Sequence, residues 1–119
     1  MLTQKLFIAM EGPMILAFSS AHLRDICEDP SAADAQMGKD RAGLLRDRLA
    51  DLSAADTYDD LLAGSPRIEG SFHEELRINI GTRGVIVLHA NHLRTPLDEH
   101  ERIDWSKVSY VKVVKVELQ

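Results

Sequence analysis

Apolar and polar positions change period once along this chain, after Pro66, and the change separates a helical part from a strand part. Residues 14–18 are apolar throughout and predict a first core strand. Ser19 or Ser20 offers a hydroxyl to cap a helix over 20–28. In that helix Leu23, Ile26 and Cys27 have the i, i+3, i+4 spacing of a buried face. Asp29-Pro30 stops it, because the residue before a proline avoids helical backbone. Ser31 with Asp34 resembles a capping box, and Ala42, Leu45, Leu49 and Leu52 fall on one stripe, predicting a helix over 31–52. Ser53 with Asp56 repeats the capping pattern and predicts a short helix over 54–63, with Tyr58, Leu61 and Leu62 inward. Gly64 and Ser65-Pro66 end it.

From there the spacing predicts strands over 67–72, 75–81, 84–90 and 107–117. Leu76, Ile78 and Ile80 point one way and Arg77 and Asn79 the other, the alternation of a strand with one face buried. Gly81-Thr82-Arg83-Gly84 reads as a hairpin turn. Residues 89–102 form a long polar connection, and Asp104 before Trp105 and Ser106 marks the entry to the last strand. Valines at 108, 111, 113, 114 and 116 occupy both parities, which predicts a strand covered on both faces. The expected fold is α+β, with helices on one face of a mainly antiparallel sheet of four to five strands. Leu45, Leu49, Ile86, Leu88, Val111 and Val113 are its predicted core.

With 119 residues, 45% of them hydrophobic, the chain is sized for one globular domain. Residues 14–119 are assigned to that domain and 1–13 to an N-terminal extension, ending in the turn Glu11-Gly12-Pro13. Residues 5–10 read either as an extra strand or as part of the extension. The apolar run 6–10 is too short to span a membrane, so a cytoplasmic protein without membrane contact is expected. The single cysteine, Cys27, excludes an internal disulfide, and its apolar neighbours mark it as a buried structural thiol. The net charge of −5 is unevenly placed: residues 1–64 hold six basic and eleven acidic side chains, residues 65–119 eight of each. Any nucleic-acid contact must therefore come from a local cationic cluster. His89 and His92 have an i, i+3 spacing but no third ligand at a suitable distance in sequence, so no metal or other cofactor is expected.

The end of the chain carries a family resemblance. Ile103-Asp104-Trp105-Ser106-Lys107-Val108, followed by a valine-rich strand, resembles the end of the HigB-like branch of the RelE/ParE toxin superfamily, the plasmid-maintenance killer proteins. Phe18-Ser19-Ser20 and Leu23-Arg24-Asp25-Ile26-Cys27-Glu28-Asp29 resemble that branch's first strand and helix, and residues 38–52 its second helix. The similarity spans about residues 14–118. It implies a RelE/ParE-like fold and a toxin of a type II toxin–antitoxin pair: a metal-independent endoribonuclease cleaving messenger RNA on the ribosome, held by a HigA-like DNA-binding antitoxin. Such toxins work with scattered residues on the exposed sheet face, where a base, an acid and cations act on the phosphate. The resemblance points to Arg77, Arg83, His73 and His89 as catalytic candidates and to Arg67 and Lys112 as RNA contacts. Two departures stand out. The branch's aromatic-arginine pair entering the strand at 85–87 is here Gly84-Val85, and its terminal Asp-Tyr-His is here Val116-Glu117-Leu118-Gln119. They imply an attenuated nuclease, or a toxin-like protein that acts only by binding its antitoxin or, like ParE, a topoisomerase.

Overall fold

The computed structural model describes residues 8–118. A mixed sheet of six strands runs in the order β1-β2-β6-β5-β4-β3. The strands are β1 (Ile8–Glu11), β2 (Ile15–Phe18), β3 (Arg67–Glu69), β4 (Glu75–Asn79), β5 (Gly84–Ala90) and β6 (Tyr110–Leu118). The helices α1 (Ala21–Glu28), α2 (Pro30–Met37) and α3 (Lys39–Ala54) lie between β2 and β3 in the chain. The expected α+β class holds. The sheet is larger than four to five strands, because residues 8–11 pair antiparallel with β2. The strand alternative for 5–10 is thus met at Ile8–Met10, and residues 5–7 lie outside those described. All pairings are antiparallel except that of β2 with β6, which is parallel, Ile15 beside Tyr110 and Phe18 beside Val113.

Local signals explain most helix boundaries. Ser20 caps α1 by accepting from the Leu23 N–H at 3.1 Å. Asp29 ends α1 and also starts α2, its carboxylate accepting from the Ser31 N–H at 2.9 Å with Pro30 in the first turn. That pair does the capping expected of Ser31 and Asp34. The single helix predicted over 31–52 is two helices, broken at Gly38, whose φ of +86° suits a residue without a side chain. The predicted helix 54–63 is absent. In its place α3 runs on to Ala54, and a 3-10 turn, Tyr58–Asp60, is capped reciprocally by Thr57 and Asp60. Tyr58 and Leu61 still face inward, but Leu62 is fully exposed.

The core lies between the helices and one sheet face. Leu45, Leu49 and Leu52 of α3 pack with Leu16, Phe18, Leu76, Ile78, Ile86, Leu88, Val111 and Val113. All six predicted core residues are buried. Cys27 is buried among them, and desolvation, with the Glu28 charge, pushes its thiol up to about 12, well away from nucleophilic chemistry. The two-sided pattern of β6 has a different cause from cover on both faces. Leu88 pairs with Val113 but Val87 with Lys115, so Val114 is an extra residue in a β-bulge. The bulge moves the core-facing set from Val111 and Val113 to Val116. It leaves Lys112, Lys115 and Glu117 on the other face.

The connection after β5 is held to β6 by His92. Its Nε2 accepts from the N–H groups of Ser109 at 3.0 Å and Tyr110 at 3.2 Å, and its ring meets Tyr110 edge-on. Trp105 closes the far end, its indole N–H donating to the His73 carbonyl at 2.6 Å.

Two outcomes follow from these contacts. Replacing Leu49, 1% exposed, by alanine should cost about 2–5 kcal/mol in a chemical melt; a loss well below about 1 kcal/mol would contradict its place in the core. Burial lowers the His92 pKa, and only the neutral ring accepts at Nε2. Its contribution is therefore full above the unfolded value of about 6.5 and is lost as pH falls through the lower folded value. Thermal melts of the parent should weaken over that window more than those of His92→Ala. Parallel curves would exclude the latch.

Candidate functional site on the open sheet face

The helices cover one face of the sheet, and register sets what the other presents. Residues paired across neighbouring strands share a face, so Arg67, Arg77, Val87 and Lys115 form one row across β3, β4, β5 and β6. A second row holds Glu69, Glu75, His89 and Lys112, ending beside Ala17 of β2. A third, on the other flank, holds Asn79, Val85 and Glu117. A line of three cations thus runs across the strands with carboxylates on either side.

Arg77 is the centre of this face. Its Nε lies 3.2 Å from Glu75 Oε1 and 3.3 Å from Glu69 Oε1, and its Nη2 lies 3.2 Å from Glu117 Oε1. The Glu75 hydrogen bond is the main cause holding the guanidinium above its ordinary pKa; desolvation opposes it, and the charges of Glu117, Glu75 and Glu69 add to the upward shift. Two of the carboxylates are shared. Glu69 also meets Arg67 at 3.4 Å, and Glu117 meets Lys115 at 3.9 Å. Arg67 in turn donates to Asn79 Oδ1 at 3.0 Å. His89 Nε2 stands 3.9 Å from Glu75 Oε2, with Lys112 directly opposite on β6. Val87, in the middle of the cationic row, is only 2% exposed.

Four of the six residues singled out in the sequence therefore meet on one surface: Arg67, Arg77, His89 and Lys112. Arg83 and His73 do not join them. Arg83 is exposed in the β4–β5 turn and His73 lies in the β3–β4 turn, at opposite ends of β4, a strand about 17 Å long at ordinary rise. His73 has φ +59°, and its carbonyl is committed to Trp105. The sequence reading missed Glu69, Glu75 and Glu117. Glu75 was legible as an alternation partner of Arg77, but the other two become neighbours only through strand pairing. Among the described residues no group of three His, Cys, Asp or Glu side chains could hold a metal ion, and no helix is long and apolar enough to cross a membrane. No family model, curated protein or solved structure matches the chain.

Chemically, the face offers buffered charge. Arg77 can orient and be oriented, but its charge is balanced by three anions at hydrogen-bonding distance. Removing it leaves Glu69, Glu75 and Glu117 facing one another. Arg77→Ala should lower the melting temperature, and the deficit should shrink as salt shortens the screening length from about 10 Å at 0.1 M to about 3 Å at 1 M. A deficit that ignores salt would mean that packing, and not charge, is what Arg77 supplies.

Proposed function

We propose that this chain is a toxin-like protein of a type II toxin–antitoxin pair, with a RelE/ParE-like, HigB-like architecture, acting mainly through protein contact and cleaving ribosome-bound messenger RNA weakly. The resemblance at residues 14–118 supports the class. So do the order of an N-terminal strand pair, three helices and a run of strands, and a sheet face left open opposite the helices. The observation that carries the attenuated reading is the environment of Arg77. A cation that stabilises a crowded phosphate in a transition state must have charge to give. This one already faces Glu69, Glu75 and Glu117. The sequence also lacks the branch's terminal Asp-Tyr-His, and loss of a positioned general acid or base costs about 10²–10⁴-fold. The partner in this reading is a cytoplasmic HigA-like antitoxin, and the substrate of any residual cleavage is messenger RNA on the ribosome.

The test is expression of the chain with and without its neighbouring gene, followed by copurification, translation assays and RNA cleavage mapping. The expected outcome is a stable complex, with cleavage weak in the free chain and lost in Arg77→Ala and Arg83→Ala while the complex persists. Arg83 is exposed at a turn, so its variant should melt like the parent. Robust cleavage surviving both substitutions would place the chemistry elsewhere. Absence of any complex would overturn the toxin–antitoxin assignment, and inhibition of DNA supercoiling without RNA cleavage would move the target to a topoisomerase.

A further inference from the structure

We infer that the outer edge of β3 is a contact surface for a second copy of this chain, the two β3 strands pairing antiparallel about a twofold axis at Ile68. This does not rest on the function proposed above. β3 is the last strand at its edge of the sheet, with β4 on its inner side. The Asn79 N–H donates to the Gly64 carbonyl at 2.7 Å, so Asn79 and its alternation partners Arg77 and Glu75 turn their backbone groups toward β3. Arg67 and Glu69 answer them from β3. The N–H and C=O of Ile68, between the two, therefore point away from the sheet, with no strand beyond them among the described residues.

The edge is complementary to itself. With Ile68 opposite the partner's Ile68, each donates one N–H and accepts one. The register then places Arg67 opposite the partner's Glu69, and Glu69 opposite the partner's Arg67. Opposite charges face each other at both flanking positions, in the pair geometry where side chains lie closest. Moving the twofold by one residue would set Arg67 against the partner's Arg67, or Glu69 against the partner's Glu69. Positive φ at Ser65 and Gly70 bends the chain at either end, so the strand offers no longer stretch on which to slip. Two large apolar side chains border the edge: Leu62 before β3 is fully exposed and Phe72 after it is 63% exposed. The twofold reverses chain direction, and so brings Phe72 to the end of the edge where the partner's Leu62 lies. The charged rows of the open face run on from one copy into the other. Three residues a side is a small contact, so the dimer is weak and reversible.

The experiment is sedimentation equilibrium of the full chain at low salt, with concentration raised through roughly 10 μM to 1 mM, the range of small transient contacts. A monomer–dimer equilibrium is expected, shifted toward monomer by salt. Amide exchange read by NMR over the same range should show Ile68 alone in β3 gaining protection with concentration, because the Arg67 and Glu69 amides already bond within the sheet. Arg67→Glu and Glu69→Arg each set like charges opposite one another and should weaken self-association by roughly tenfold or more. Mixing the two variants restores opposite charges at both positions, so the mixture should dimerise like the parent while each variant alone associates weakly. The two reversals change net charge in opposite directions, so the mixture keeps the parent's average charge. A parent that stays monomeric across the range, single reversals that dimerise like the parent, or a mixture no better than its components would overturn the proposal.

Discussion

The fold depends on one pairing, the placement of β6 between β2 and β5. Every other β-contact in the sheet is made between strands adjacent in the chain. Without β6 the N-terminal hairpin β1–β2 and the meander β3–β4–β5 would be separate ribbons, each with an apolar face and nothing to close it. With it, Leu16, Phe18, Ile86, Leu88, Val111 and Val113 become one surface, and the α3 stripe has a floor to cover. The bulge at Val114 belongs to the same constraint. It turns the last residues of β6 so that Lys115 and Glu117 reach the face where Arg77 lies.

Much of the fold was legible because local chemistry and burial agreed. The alternation of Leu76, Ile78 and Ile80, the stripe Ala42, Leu45, Leu49 and Leu52, and the Asp104 entry turn each appear where expected. The errors cluster where a backbone preference overrode a periodic pattern. Gly38 interrupts a run of good helix formers because its positive φ cannot continue a helix. Residues 55–63 contain enough apolar spacing to suggest a helix. The acceptors Thr57 and Asp60 instead tie the backbone into a tight turn, which tips Leu62 outward.

The site was less legible than the fold, for a reason of range. Arginines and histidines can be picked out one at a time, but the character of a charged face is set by what stands across the ladder. Glu117 is 40 positions from Arg77 and Glu69 sits beyond a turn, yet both lie within 3.3 Å of its guanidinium. The chain's acidity adds to this. All of its excess negative charge lies in residues 1–64, while the open face carries near-balanced opposing rows, so total charge describes neither surface.

The parallel contact of β2 with β6 also orders events in time. Ile15 finds Tyr110, 95 positions further on, and no shorter loop can substitute for it. Contacts of such separation close late, after the intervening segments have been made. During synthesis α1, α2 and α3 can form early, but their apolar stripe stays without its sheet until the last strand has left the ribosomal tunnel. The open face, whose rows are completed by Lys112, Lys115 and Glu117, therefore comes into being only once β6 has found both β2 and β5.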